Sequence, residues 1–86
     1  MIHYRIEPGS SIISGAEGIC ILDIHYGTGT TYPNNLALYL VKGQYASPHL
    51  ISKGPNFEDV DVTSVLGGCR ITNNTRFELS IKFINA

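Results

Sequence analysis

Hydrophobic and polar residues alternate most regularly near the end of the chain. Between residues 76 and 84 every second position is apolar, with hydrophobic side chains at Phe77, Leu79, Ile81 and Phe83. A period of two is typical of a β-strand that turns one face to a core and the other to water. We therefore expect all four side chains to be buried and this strand to anchor the fold.

Other runs rich in Ile, Val, Tyr and Thr predict further strands. Nine Gly and four Pro interrupt the chain too often for long helices. The candidate strands lie near residues 2–7, 11–14, 19–26, 36–42, 49–53, 59–63, 69–72 and 76–84. The spacing predicts an all-β fold, a small antiparallel β-sandwich of six to eight short strands, immunoglobulin-like or jelly-roll-like. Turn residues around 35–42 also suit a short helix, and we expect at most one there.

Two of these runs are apolar on both sides, unlike the last strand. In residues 19–22 and 36–41, neither alternating set of positions is polar. A strand of this kind is either covered on both faces or meets a partner with its outer face. The sequence therefore indicates a sheet with more apolar surface than one small core requires.

The connection Asn73-Asn74-Thr75 predicts a hairpin between the last two strands. The apolar positions of the two strands match when Cys69 lies opposite Leu79, because directly opposed residues share one face of a sheet. That register places Arg70 opposite Glu78. Since the last strand runs almost to Ala86, we also expect it to offer a sheet edge to another chain.

Length and charge narrow the classes of partner. The chain has 86 residues, and six Lys and Arg stand against seven Asp and Glu, for a net charge of −1. This length predicts a single domain over residues 1–86, and the balanced charge leaves no cationic surface for nucleic acid. The longest apolar run, Leu36 to Val41, is too short to span a bilayer, and no basic and apolar leader follows Met1. We expect a cytoplasmic protein with no nucleic-acid or membrane partner.

Residue types that build catalytic and metal sites occur without the spacing that such sites need. For Cys20 and Cys69, two buried free thiols are favoured over a disulfide, since no export signal is visible. Among the histidines, only His25 shares a strand face with a neighbouring ligand type, Asp23. The Asp-Val-Asp segment 59–61 reads as a solvated strand face, and no nucleophile motif appears. We expect no enzyme activity, no metal and no other cofactor.

The polar segment 27–35 lacks the Gly-Lys-Ser/Thr ending of a phosphate-binding loop. Loops on rigid β-scaffolds carry most binding, so we select the aromatic and amide side chains of the loops. These candidate partner-binding residues are Tyr32, Asn34, Asn35, Tyr45 and Phe57.

These observations favour a non-enzymatic protein-binding module, such as an inhibitor, an adaptor or an assembly component. It would bind a protein partner through surface loops and an exposed sheet edge, and it would self-associate as a homodimer. The alternative is a protein that binds or sequesters a small sugar-like or nucleotide-like ligand. Its site would lie at the loops 27–35 and 44–48, at a subunit interface.

Overall fold

The computed structural model describes residues 2–25, 33–42 and 47–84. These residues form β-strands joined by turns and by two short 3-10 helices, Pro33–Asn35 and Pro55–Phe57. The strands are β1 (Ile2–Ile6), β2 (Ser11–Ser14), β3 (Gly18–His25), β4 (Leu36–Val41), β5 (His49–Lys53), β6 (Val60–Val65), β7 (Gly68–Asn73) and β8 (Glu78–Ile84). The expected all-β class is confirmed, and the segment 36–41 is a strand rather than a helix.

The strands form two antiparallel sheets. One has five strands in the order β1-β8-β3-β4-β5, and the other has three in the order β2-β7-β6. The chain therefore changes sheet between β1 and β2, between β2 and β3, between β5 and β6, and between β7 and β8. This arrangement is a small β-sandwich, as the sequence predicts. Its order differs from that of an immunoglobulin domain, where the first two strands share a sheet.

The core lies between the two sheets and draws on both. Alternate residues of β8 and β3 face it, and each is 2% exposed or less. Cross-strand pairing places Leu79 beside Ile24 and Ile81 beside Leu22. From the smaller sheet, Ile71 of β7 is completely buried. Among the described residues, the buried hydrophobic ones are Ile6, Cys20, Leu22, Ile24, Ala37, Val41, Phe57, Val60, Cys69, Ile71, Leu79, Ile81 and Phe83.

The expectation for the last strand is correct at three of its four apolar positions. Leu79, Ile81 and Phe83 are buried, whereas Phe77 is 38% exposed. Strand β8 begins at Glu78, so Phe77 still belongs to the connection that carries the chain from the smaller sheet to the larger one. The alternating pattern extends one residue beyond the strand, and burial of Phe77 is a wrong prediction.

The predicted hairpin of β7 and β8 is also wrong, because the two strands lie in different sheets. Cys69 pairs with Ser14 and Ser64 instead of Leu79. Glu78 pairs across the strands with His25, and its side chain accepts a hydrogen bond from Arg5 at 3.0 Å. Strand β8 is paired on both sides, by β1 and β3, and therefore offers no edge. The strands at the sheet edges are β1, β5, β2 and β6.

Candidate functional site

The structure brings the connections that carry Asn35 and Phe57 into contact, but it buries both of these side chains. Asn34 is exposed in the first short helix. Asn35 is 3% exposed, and its Oδ1 accepts a hydrogen bond from Nδ2 of Asn56 at 2.5 Å. Phe57 is 1% exposed and belongs to the core. Asn35 and Phe57 thus support their loops from inside and present no surface to a partner, contrary to expectation. The predicted residues Tyr32 and Tyr45 lie outside the described residues.

The outer face of the five-stranded sheet, which points away from the smaller sheet, carries a contiguous apolar surface. Ile19 of β3 lies between Leu40 of β4 and Ile84 of β8, and Ile21 lies opposite Leu38. All of these side chains are partly exposed, and no described strand covers them. We call this surface the aliphatic patch; its members are Ile19, Ile21, Leu36, Leu38, Leu40 and Ile84.

Polar side chains occupy the rest of the same face, on β1, along β8 and at the end of β3, where Lys82 lies opposite Ile21 and Asp23 lies opposite Leu36. Nε2 of His3 and Oγ of Ser80 are joined by a hydrogen bond of 2.9 Å. Arg5 and Glu78 form an ion pair at 3.0 Å, with both side chains largely in solvent. The aliphatic patch therefore has a polar border along one side, an arrangement typical of protein contact surfaces.

Strand β5 lies at the edge of the larger sheet, and all five of its residues are exposed. Leu50 and Ile51 are 46% and 52% exposed, because the opposite sheet has too few strands to cover this edge. Leu38 pairs with Ser52 and Tyr39 with Leu50, so Ile51 is the extra residue of a bulge. A bulge interrupts the backbone hydrogen-bond ladder and discourages addition of another strand. A partner at the β5 edge would therefore contact exposed side chains more readily than it would pair with the backbone.

A cleft of about 310 Å³ opens at one end of the sandwich. Its walls are the two connections that change sheet at this end, from β5 to β6 and from β7 to β8. The almost completely buried side chain of Ile24 contributes to the lining, together with Pro55 and the partly exposed ring of Phe77. Asn56 and Thr75 add amide and hydroxyl groups.

One wall of the cleft is positioned by the buried side chain of Asn73. Its Nδ2 donates to the carbonyl oxygens of Phe77 at 2.8 Å and of Ile6 at 3.2 Å. Its Oδ1 accepts from the backbone N–H of Thr75 at 3.0 Å and from the Thr75 hydroxyl at 2.6 Å. An asparagine whose amide is fully used in this way holds a turn in one conformation.

The opposite wall is fixed by Phe57 in the core and by the bond between Asn56 and Asn35. The two walls are also joined directly, because the backbone N–H of Asn74 donates to the carbonyl oxygen of Asp59 at 2.8 Å. The cleft is therefore formed by the fold itself and needs no ligand to shape it.

Charges of opposite sign line opposite walls of the cleft. Glu58 and Asp59 belong to the connection before β6, and Arg76 belongs to the connection before β8. All three residues are exposed. Within the described part of the chain, Arg5 and Glu78 form an ion pair, whereas Arg76 forms none with Glu58 or Asp59.

No protein-family model, curated protein or solved structure matches this chain. Among residues 2–25, 33–42 and 47–84, no helix is long and apolar enough to cross a membrane. The same ranges hold no group of three or more His, Cys, Asp or Glu side chains that could bind a metal ion.

The two cysteines are free thiols and are buried, with exposures of 0% for Cys20 and 1% for Cys69. Burial, together with the nearby Cys69, raises the pKa of Cys20 from 9.0 to about 12. Burial alone raises the pKa of Cys69 from 9.0 to about 11. Since the thiolate is the reactive form, neither cysteine is activated as a nucleophile at neutral pH.

Proposed function

We propose that this chain is a non-enzymatic protein-binding module that acts through the aliphatic patch, and that its first partner is a second copy of itself. The observation that carries the proposal is the position of six aliphatic side chains on the outer face of the larger sheet. Sheets in small sandwiches normally turn polar side chains outward, and contiguous apolar surface marks a contact site.

The dimensions of this face suit a protein contact. Five strands spaced by about 4.8 Å and about 20 Å long give a flat outline of roughly 400 Å². This outline covers the whole face, so the aliphatic patch forms the apolar centre of a small contact over about half of it, and the polar half around Arg5 and Glu78 supplies a rim. Each copy has a net charge of only −1, so electrostatic repulsion between two copies is weak and does not oppose a symmetric homodimer.

Sedimentation velocity at increasing protein concentration tests this proposal. The wild-type chain of 9.4 kDa is expected to sediment as a dimer at micromolar concentration. Leu38→Lys places a charge in the centre of the patch and should return the protein to the monomer. The matched control is Ile13→Lys, because Ile13 is a 50% exposed isoleucine on the other sheet. Its dimer should persist.

Ile84→Lys, at the 37% exposed border of the patch, provides a second variant in case Leu38→Lys unfolds the chain. Melting curves establish that each variant is folded before its mass is measured. A wild-type protein that remains monomeric throughout, or a dimer that survives both patch substitutions, contradicts the proposal.

A second candidate function, binding of a small ligand, is favoured by the cleft. The sequence places such a site at loops 27–35 and 44–48, of which residues 27–32 and 44–46 lie outside the described residues. The cleft instead uses residues 55–59 and 75–77, and its volume of about 310 Å³ falls at the lower end of the range for small-molecule sites.

A further inference from the structure

The charges of the cleft select among small ligands. Glu58 and Asp59 on one wall attract a cation, and Arg76 on the other wall attracts an anion. A nucleotide would bring its phosphates close to the two carboxylates, and a simple cation would meet the guanidinium. A ligand that carries both charges a short distance apart satisfies all three side chains.

The remaining lining of the cleft is mixed, with apolar side chains from Pro55 and Phe77 and polar ones from Asn56 and Thr75. Phe77 is 38% exposed and offers an apolar side chain to a ligand placed between the walls, whereas Ile24, at 2%, adds almost no accessible surface. A volume of about 310 Å³ corresponds to on the order of ten water molecules. A ligand of about the same number of non-hydrogen atoms fits this space.

We propose that the cleft binds a free α-amino acid with an apolar side chain. The ammonium group lies toward Glu58 and Asp59, the carboxylate accepts hydrogen bonds from Arg76, and the side chain packs against Phe77. This inference rests on the small-ligand candidate and is independent of the protein contact at the aliphatic patch.

The cleft favours this binding because its walls are already held in place before the ligand arrives. Asn73 holds the wall that carries Arg76 and Phe77, and Phe57 anchors the wall that carries Glu58. The hydrogen bond from Asn74 to Asp59 fixes the distance between the walls. Preorganised walls reduce the entropy lost when a small ligand binds.

The experiment is a titration of the wild-type chain, labelled with ¹⁵N, with L-phenylalanine and L-leucine. Two analogues each lack one charge: L-phenylalaninamide lacks the carboxylate, and N-acetyl-L-phenylalanine lacks the ammonium group. The expected result is saturable movement of the amide signals of residues 56–59 and 74–77 with the free amino acids. Each analogue should bind about tenfold more weakly or not at all.

Two variants connect the binding to the named side chains. Arg76→Gln should weaken L-phenylalanine binding by about tenfold while leaving the affinity for L-phenylalaninamide nearly unchanged. Glu58→Gln should also weaken L-phenylalanine binding, but it should leave the affinity for N-acetyl-L-phenylalanine nearly unchanged. The matched control, Lys82→Gln, removes a charge from the outer face of the larger sheet and should change neither affinity.

The proposal is overturned by absence of saturable binding of both amino acids, by equal affinity for all four compounds, or by signal changes confined to residues outside the cleft. None of these results affects the sedimentation test of the aliphatic patch. Conversely, a monomeric wild-type chain that binds L-phenylalanine at the cleft supports this inference and contradicts the dimer alone.

Discussion

The side chain of Asn73 donates a hydrogen bond to the carbonyl oxygen of Phe77 at 2.8 Å and spans the connection between β7 and β8. The same amide reaches Ile6 of β1, so one buried residue links the end of the smaller sheet to the edge of the larger one. Replacing Asn73 with Ala removes these bonds and leaves the carbonyl oxygen of Ile6 without that donor. We expect Asn73→Ala to lower the free energy of unfolding by about 3 kcal/mol in urea denaturation.

Asn74→Ala is the matched control for this loss. Asn74 is exposed, and its bond to Asp59 uses the backbone N–H, which alanine retains. We expect its free energy of unfolding to stay within about 0.5 kcal/mol of wild type. Equal losses at the two positions would show that the side chain of Asn73 has no special role.

The buried thiols predict that stability falls in alkaline solution. In the unfolded chain Cys20 and Cys69 ionise near their ordinary pKa of 9.0, whereas in the folded chain their pKa values are about 12 and about 11. Above pH 9 the unfolded state therefore binds fewer protons, and the free energy of unfolding decreases as pH rises toward the folded values. Urea denaturation between pH 8 and pH 11 measures this decrease.

A Cys20→Ala, Cys69→Ala double variant separates the thiols from other groups that titrate in this range, including Tyr39, whose pKa is also raised by burial. The variant is less stable at pH 8, yet its stability should depend less on pH above 9. An unchanged slope contradicts the assignment. Iodoacetamide at pH 8 provides an independent check, because both thiols should react only after denaturation.

Gly68 at the start of β7 has a φ of +137°, and a Cβ atom there would overlap the carbonyl oxygen of Ser14 on β2. Both the backbone conformation and the close approach exclude a side chain. We expect Gly68→Ala to lower the free energy of unfolding by about 3 kcal/mol or more in the same urea assay.

Gly9→Ala is the control, because Gly9 also has a positive φ, of +83°, but no atom lies within 4 Å of its added Cβ. Only the conformational cost remains there, about 1 kcal/mol. Similar losses at Gly9 and Gly68 would show that the approach of β2 to β7 is unimportant for stability.

The alternation of residue types predicts which side chains of a strand share a face, and it does so well here. Leu79, Ile81 and Phe83 are buried because their spacing matches the pleat of β8. The pattern is less informative about where a strand ends. Phe77 continues the alternation, but the chain is already crossing between the sheets at that position, and its ring is left at the mouth of the cleft.

Strand pairing was harder to predict than strand position. The register that places Cys69 opposite Leu79 satisfies face matching, yet each strand finds two partners elsewhere in its own sheet. Pairing of β1 with β8 depends on residues nearly the whole chain apart, and a local pattern contains no information about such a contact. The apolar outer positions of β3 and β4 were visible in the sequence, and the aliphatic patch is built from them.

The cleft could not be predicted, because its walls come from two connections that are distant in sequence. Aromatic residues in loops were also ambiguous. Phe57 anchors a short helix in the core, whereas Phe77 stays partly exposed, and both follow polar residues in short connections. Only the three-dimensional course of the chain distinguishes an aromatic anchor from an aromatic surface.

Strand β8 lies between β1 and β3, although it follows every other described strand along the chain. Until residues 78–84 emerge, β1 has no neighbour and β3 lacks one of its two partners. The larger sheet therefore completes only after β8 has been synthesised, and until then the unpaired edges of β1 and β3 are available to other nascent chains.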